Sequence, residues 1–336
     1  MPIPWERLAP YRPVAPRDDA YIRRPEDGGE RLASLVHASP GRSFAVAGPA
    51  GIGKTTELIR ATTALSALDE FAPVYVPLEC RDWNEPLDQV LTQCVEHLGR
   101  TSKAMPASVG RAGSRPPTDL ARLAFNKLRA RHLRVVLLLD GLERAPIDAA
   151  RMVIQRILEL FPEVQVAFIL PPSLVTGSTA FDVLAHLRLF LLHAIPTQSE
   201  PGRSFFREIV RSRLGLESFE GRFGEVVDLC SGHSGGVPRL FLQILMDASA
   251  AAALRGDDFP DFEDAVSAVQ DHARSFHRLL SQQDRDALAL GIDRHLRPAP
   301  PMTEDQQVRF LTHGILLEYS GSAQPVLHPL LSGRPS

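Results

Sequence analysis

Glycine, lysine and threonine residues stand together in one stretch of the sequence, in a spacing that can hold phosphate. The stretch follows an apolar run over residues 43–47 and has the pattern G-x-x-x-x-G-K-T. Its residues are Gly48, Pro49, Ala50, Gly51, Ile52, Gly53, Lys54, Thr55 and Thr56. Glycine allows backbone conformations that are closed to residues with a Cβ, so successive N–H groups can converge on phosphate oxygens. Lys54 adds charge for the β- and γ-phosphates, and the Thr55 hydroxyl can hold Mg²⁺, so the pattern predicts a phosphate-binding loop for ATP with Mg²⁺.

Lysine is rare in this chain, which makes its presence at position 54 informative. Arginine occupies nearly every other basic position, and lysine occurs only as Lys54, Lys103 and Lys127. A planar guanidinium does not replace the compact ammonium that lies over bound phosphates, so a phosphate-binding role explains the retained lysine. The alternative is a glycine-rich turn between a strand and a helix that binds nothing.

A second candidate site residue ends the most apolar run in the sequence. Residues 134–139 read Arg-Val-Val-Leu-Leu-Leu and are followed by Asp140. Such a run is typical of a central parallel strand covered on both faces, and an acid at its carboxyl end can hold a Mg²⁺-bound water. Because the next residue is Gly141, the first further carboxylate is Glu143, which we assign to positioning the attacking water. The alternative for Asp140-Gly141 is an ordinary turn.

Alternating strand-like and helix-like segments predict the elements that position these residues. Apolar or β-rich runs predict five strands, over residues 43–47, 72–78, 134–140, 164–170 and 187–192. Helical spacing predicts helices that end near residue 40 and that cover 55–68, 85–98, 118–131, 149–161 and 180–186. Thr118 or Asp119 is the expected N-cap of the fourth helix. The second strand contains two prolines, which suits an edge position in the sheet.

The second half of the chain is predicted to be mostly helical. Helical spacing covers 202–214, 223–229, 240–245, 262–280 and 287–292, and a further helix starts at 303. A Gly/Ser-rich stretch over 231–237 leads to Pro238 and Arg239, and proline is favoured in the first turn of a helix. We interpret His233 as a loop residue of that stretch. Ser281 begins a sequence with the form of a capping box, and two short strands over 315–319 and 325–328 are predicted to form a hairpin.

Three of these features together resemble the P-loop ATPases of the AAA+ and STAND type, in the ASCE class and of bacterial-like form. They are the G-x-x-x-x-G-K-T stretch, the Asp-Gly-Leu-Glu sequence at 140–143 and the Gly-Val-Pro-Arg sequence at 236–239. The resemblance implies an α/β fold with a parallel sheet sandwiched by helices, followed by an α-helical lid and a small winged-helix-like domain. It implies that Lys54, Asp140 and Glu143 are catalytic, with Thr55 and Asp140 as the Mg²⁺ ligands.

The resemblance also implies nucleotide contacts outside the P-loop. Tyr21 and Ile22 match the segment that lines the adenine, Pro238 matches a proline that packs on the nucleotide, and Arg239 matches an arginine that reaches the γ-phosphate. Two alternatives stay open, in which Tyr21 merely packs the N-terminal segment and Arg239 is a solvated residue at a helix N-terminus. Arg188 lies near the position of an arginine finger, and we interpret it as an ordinary surface arginine.

Composition shifts along the chain predict four regions. An extended arm over 1–20 precedes a P-loop ATPase core over 21–196, which carries a flexible Gly/Ser/Pro/Arg insertion at about 101–117. A helical lid follows over 200–258, and the winged-helix-like domain covers 260–336. A length of 336 residues is ample for several domains with apolar cores.

Charge, hydropathy and cysteine content limit the possible partners and location. The formal net charge is −3 and the isoelectric point is about 6.4, which argues against a strongly nucleic-acid-binding surface. The sequence has no apolar run of the length that a membrane helix needs, and no apolar N-terminal signal. Cys80, Cys94 and Cys230 are scattered and odd in number, which predicts buried thiols in a cytoplasmic protein.

The predicted function is that of an ATP-binding and slowly ATP-hydrolysing switch. Nucleotide with a γ-phosphate would join core and lid, and hydrolysis would release the lid and tail to signal to a protein partner or another copy of the chain. Two rivals stay open. One is a DNA-associated ATPase of origin-recognition-like or transposition-accessory type, although the tail lacks a clustered positive face. The other is a non-catalytic scaffold that holds ATP.

Overall fold

The computed structural model describes residues 5–10, 21–26, 28–79, 83–101, 115–177, 180–217, 219, 221–292, 302–322 and 324–331. Cys80, most of the predicted arm and the greater part of the predicted insertion lie outside the described residues. The chain divides into two compact units. The first combines residues from 1–26, 48–53 and 193–336, and the second combines residues from 27–47 and 54–192.

The second unit is built on a parallel sheet of five strands. The strands are β1 (Ser43–Ala47), β2 (Phe71–Pro77), β3 (Arg134–Asp140), β4 (Gln165–Ile169) and β5 (Leu187–Leu191). Their order across the sheet is β2-β3-β4-β1-β5, and every pairing is parallel. All five predicted strands are confirmed within one or two residues, and the proline-containing β2 lies at an edge, as its sequence predicts.

Helices cover this sheet. They are α1 (Gly28–Ala38), α2 (Lys54–Ser66), α3 (Pro86–Thr101), α4 (Pro117–Arg129), α5 (Ile147–Leu160) and α6 (Ala180–Leu184). All of β1 and β4, and β3 after its first residue, are buried on both faces, as expected for strands between two layers of helices. The α/β class with a helix-covered parallel sheet is thus observed. The fold brings the carboxyl ends of the parallel strands to one edge of the sheet, where Asp140 ends β3.

The N-cap prediction for α4 is wrong. The helix begins at Pro117, with Pro116 as N-cap and no side-chain capping hydrogen bond. Proline at the first helical position lacks only an N–H group that has no partner within the helix, and its fixed φ suits the first helical turn. Two consecutive prolines therefore start this helix without help from Thr118 or Asp119.

The first unit is mostly helical. Its helices are α7 (Glu200–Leu214), α8 (Arg222–His233), α9 (Pro238–Arg255), α10 (Phe262–Arg278), α11 (Gln282–Ile292) and α12 (Glu304–Thr312). A short 3₁₀ helix, Trp5–Leu8, lies within the segment predicted as an extended arm, and it contacts α7. Leu8 is fully buried and the Arg213 guanidinium donates to the main-chain oxygen of Ala9 at 3.2 Å, so this part of the segment is packed rather than extended.

The interpretation of His233 as a loop residue is wrong, because α8 continues to this position. The Ser234 amide donates to the carbonyl oxygens of Cys230 and Ser231, which closes the last turn. The chain leaves the helix at Gly235 and Gly236, whose φ angles are +62° and +80°. Positive φ commonly ends a helix, and here α8 ends at His233, four residues beyond the predicted end at 229.

The C-terminal part of this unit contains the predicted capping box at Ser281, a second capping box at Thr303 and the predicted hairpin. The Ser281 hydroxyl accepts from the Asp284 amide at 3.1 Å at the start of α11, and Thr303 caps α12 in the same way with Gln306. The antiparallel strands β6 (Leu316–Leu317) and β7 (Val326–Leu327) form the hairpin. Phe310 and Leu331 belong to the small apolar cluster beneath it. No helix in the described part of the chain has the length and apolar character to cross a membrane.

Candidate functional site

The phosphate-binding loop joins β1 to α2, and its glycines have the backbone conformations that the motif requires. The φ angles of Gly48, Gly51 and Gly53 are +154°, +81° and +101°, a range that favours glycine. The Ile52 amide donates to the Pro49 carbonyl oxygen at 3.3 Å. The Ile52 side chain is fully buried, so the loop has an apolar anchor at its centre, between two glycines.

Helix α2 begins with the charged end of the motif. Its first residue is Lys54, one position earlier than predicted, and Thr55 and Thr56 follow in the first turn. The N–H groups of a first helical turn have no partner within the helix, and together with the helix dipole they favour a bound anion. Lys54 and Thr55 thus stand where a phosphate and its cation can be held.

Arg239, which is predicted to sense the nucleotide, contacts the phosphate-binding loop. It is the second residue of α9, after Pro238, and its amide donates to the Gly51 carbonyl oxygen at 3.3 Å. A Cβ added to Gly51 would lie 2.7 Å from the Cβ of Arg239. Position 51 therefore needs glycine for two reasons, the positive φ and the close approach of α9. The Arg239 side chain itself is exposed.

Arg24 is a site residue that the sequence reasoning missed. Its guanidinium is buried and donates to the Ile52 carbonyl oxygen at 2.6 Å and to the His193 carbonyl oxygen at 2.7 Å. The Arg24 guanidinium thus holds the main chain of the loop at Ile52. The signal in the sequence was the Arg23-Arg24 pair after Tyr21 and Ile22, but no local pattern says which of two arginines turns inward.

Asp140 lies at the carboxyl edge of the sheet, where its position at the end of β3 predicts it. It is 4 % exposed, and the Tyr75 hydroxyl donates to its Oδ2 at 2.8 Å. Burial raises the pKa of Tyr75, and Asp140 raises it further, so the phenol stays protonated and acts as the donor. Tyr75 is the second residue that the sequence reasoning missed.

Glu143 completes this acidic group. Its Oε2 accepts from the Gly141 amide at 3.1 Å. Burial raises the pKa of Glu143 and Asp140 raises it further, whereas the Lys54 ammonium and Arg144 lower it. Asp140 and Lys54 are therefore both within electrostatic range of Glu143, although Lys54 is far from the two acids in the sequence. A carboxylate with a raised pKa is better suited to accept a proton from water.

The remaining candidates have simpler surroundings. Tyr21 and Ile22 are half-buried and lie in a segment without regular secondary structure. Arg188 is exposed on β5, and its guanidinium donates to the Ser39 hydroxyl at 3.3 Å. Cys94 and Cys230 are buried free thiols, and burial raises the pKa of each to about 12, so neither is a reactive thiolate at neutral pH.

Comparison with known proteins gives a likeness in structure only. No protein-family model and no curated protein sequence matches this chain. The ORC2 protein of Aeropyrum pernix, solved in ADPNP-ADP complexes, matches with a TM-score of 0.55 at 14 % identity, over 98 % of this chain and 95 % of that one. Its ADP form matches with a TM-score of 0.52 at 16 % identity, over 97 % of this chain and 94 % of that one. The ORC1 protein of the same organism, in complex with DNA, matches with a TM-score of 0.52 at 19 % identity, over 93 % of this chain and 83 % of that one.

The chain has the fold of these ORC proteins, with a helix-covered parallel sheet and a mostly helical unit. The similarity extends over nearly the whole chain, so it includes the helical first unit as well as the sheet. Because the sequence identities are below 20 %, this likeness shows the fold alone, and the chemistry of the site has to be argued from this chain's own residues.

The residues present fit an ATP-Mg²⁺ complex. Mg²⁺ prefers oxygen ligands and is usually held by one or two protein groups, with water and phosphate oxygens completing its shell. Asp140 supplies a buried carboxylate and Thr55 a hydroxyl in the first turn of α2. Lys54 and the glycine-rich loop supply positive charge and main-chain donors for the phosphates.

Proposed function

We propose that this protein binds ATP with Mg²⁺ and hydrolyses it slowly, as a nucleotide-dependent conformational switch. The observation that carries the proposal is the group formed by Lys54, Asp140 and Glu143 beside the start of α2. One ammonium and two carboxylates in electrostatic range, next to a loop with three positive-φ glycines, match the needs of phosphoryl transfer to water.

Each residue has a distinct task in this proposal. Residues 48–53 give main-chain N–H donors to the phosphates, and Lys54 stabilises the charge on the β- and γ-phosphate oxygens. Thr55 and Asp140 hold the cation, and Mg²⁺ neutralises charge on the phosphates when it is bound. Glu143 accepts a hydrogen bond from water and takes its proton as the water oxygen attacks the γ-phosphorus.

The switch is supported by contacts within the first unit. The segment 234–239 contacts the phosphate-binding loop through the Arg239 amide at one end. At its other end the Gly235 carbonyl oxygen accepts from the Tyr319 hydroxyl at 2.9 Å. A γ-phosphate that moves Arg239 would therefore act on a segment that is hydrogen-bonded to the C-terminal hairpin. We expect the altered surface to be read by a protein partner or by a second copy of the chain.

Nucleotide binding and turnover test the proposal directly. Lys54→Ala should lower ATP affinity about 10- to 100-fold, because a charged phosphate contact is lost. Glu143→Gln should keep ATP affinity and lower turnover at least about 100-fold, because the water loses its base. Binding is measured by calorimetry and turnover by phosphate release, with light scattering in ATP and in ADP to follow self-association.

Two matched variants serve as controls. Lys127→Ala removes a lysine from α4, and Glu159→Gln changes an exposed carboxylate on α5; both should behave as wild type. If wild-type protein retains ATP without turnover and Glu143→Gln changes nothing, the protein is an ATP-holding scaffold. Failure of the wild type to bind any nucleotide would refute the proposal as a whole.

A further inference from the structure

The edge strand β2 places a phenol against the carboxylate of Asp140. In the register of β2 and β3, Tyr75 pairs with Leu138 and Pro77 with Asp140. Residues two apart on a strand share a face, so the side chains of Tyr75 and Asp140 lie on the same side of the sheet. The Tyr75 hydroxyl then reaches Asp140 Oδ2 at 2.8 Å.

Packing alone does not explain this tyrosine. The neighbouring residues Val74 and Val76 lie in the large apolar core, whereas Tyr75 is half-buried and points to the opposite face of the strand. Its hydroxyl donates a hydrogen bond to a carboxyl oxygen of Asp140 at 2.8 Å. Phenylalanine would fill the same space without this bond.

The terminal torsion of an aspartate is soft, so a buried carboxylate needs a fixed donor to hold one orientation. We propose that Tyr75 is a positioning residue that holds the Asp140 carboxylate in the orientation required to bind Mg²⁺ or its water. This inference rests on the proposed function, because it assigns a hydrogen-bond donor, Tyr75, to Asp140, the carboxylate that we propose as a Mg²⁺ ligand.

The Mg²⁺ dependence of the Tyr75→Phe variant tests this role. We expect the Mg²⁺ concentration for half-maximal ATP turnover to rise about 10-fold, as is usual when a residue that orients a metal ligand is lost. Nucleotide affinity measured in EDTA should equal that of wild type, because the phosphate contacts remain. Thr312→Val is the control: it removes another half-buried hydroxyl, which donates to the Val308 carbonyl oxygen within α12, and should leave the Mg²⁺ dependence unchanged.

Thermal unfolding of the nucleotide-free protein provides a readout that needs no activity. Tyr75→Phe should lower the Tm of the wild type, but it should lower the Tm of Asp140→Ala much less, because the acceptor is already absent. Equal shifts in both backgrounds would overturn the inference. So would an unchanged Mg²⁺ half-saturation in Tyr75→Phe.

The two proposals fail in distinguishable ways. If wild-type protein shows no Mg²⁺-dependent nucleotide binding, the proposed function and the role of Tyr75 fall together. If wild type responds to Mg²⁺ and Asp140→Ala abolishes the response, but Tyr75→Phe does not alter it, only the role of Tyr75 is refuted.

Discussion

Arg24 acts on the phosphate-binding loop through the main chain. Its two hydrogen bonds end on the carbonyl oxygens of Ile52 and His193. A carbonyl that is held by a charged donor cannot rotate toward the space where a phosphate must lie, so the neighbouring N–H groups stay available. We therefore expect Arg24 to keep the loop in a conformation that can bind an anion, through its hydrogen bonds to the main chain and not through contact with the anion.

Replacement of Arg24 by methionine tests this expectation. Arg24→Met keeps much of the apolar stem but removes both charge-assisted hydrogen bonds, each of which contributes on the order of 1.5–3 kcal/mol. ATP affinity, measured by calorimetry, should fall at least about 10-fold. Arg23→Met, at the exposed neighbouring position, is the matched control and should bind like wild type. An unchanged affinity in Arg24→Met would show that the loop holds its shape without the guanidinium.

At the scale of elements, the C-terminal hairpin is attached to the segment between α8 and α9 by a buried histidine. His328 is 1 % exposed, its Nδ1 accepts from the Leu330 amide at 3.2 Å, and its Nε2 lies 3.2 Å from the Ser234 carbonyl oxygen. This arrangement requires a neutral ring with its proton on Nε2. Burial lowers the pKa of His328 from 6.5 to about 4; the hydrogen bond to Ser234 raises it and His233 lowers it further.

The lowered pKa of His328 predicts an acid-sensitive attachment. A histidine with a depressed pKa in the folded state contributes stability above pH 6.5, and loses it as the pH falls from 6.5 toward 4, because the unfolded chain binds the proton more tightly. The contribution is about 2 to 3 kcal/mol. Chemical denaturation at pH 7 and pH 4.5 should show a smaller acid-induced loss in His328→Gln than in wild type. Equal losses would mean that other groups cause the acid sensitivity.

At the scale of the whole molecule, the phosphate-binding loop groups with the helical unit by its contacts, although its chain neighbours lie in the sheet unit. Arg24 and Arg239, both in that unit, donate hydrogen bonds to the carbonyl oxygens of Ile52 and Gly51 in the loop. The loop is covalently continuous with β1 on one side and α2 on the other.

The net charge of −3 predicts weak association with DNA. Phosphate contacts need clustered cations, and each one adds to the salt dependence of binding. In fluorescence anisotropy with a labelled duplex and either ATP or ADP, we expect no saturation at about 10 μM protein in 150 mM salt, which is weaker than specific binding. Titration at 50 mM salt separates weak electrostatic attraction from no binding. Tight binding with a steep salt dependence would favour the alternative of a DNA-associated ATPase.

Local patterns in the sequence were sufficient for the elements and for the chemistry of the motif. The five strands, the edge position of β2, the capping box at Ser281, the helix start at Thr303 and the hairpin follow from residues that are neighbours in the chain. Local patterns did not predict the exact ends of helices where two signals conflicted. At Pro117 a pair of prolines competed with the capping residues that follow it, and at His233 a helix continued into a Gly/Ser-rich stretch.

The contacts that complete the candidate site join distant parts of the chain. Arg24 and Ile52 are 28 residues apart, Tyr75 and Asp140 are 65 apart, and Tyr319 and Gly235 are 84 apart. Apolar periodicity and glycine-containing motifs are patterns among residues that are close together in the chain, so they can be recognised from the sequence alone. A hydrogen bond between strands depends on their order and register, and a one-residue shift moves every side chain to the other face. The motif and its strands could therefore be predicted from the sequence. The hydrogen-bond donors to Asp140 and to the loop carbonyl oxygens are determined only by the packing of the folded chain.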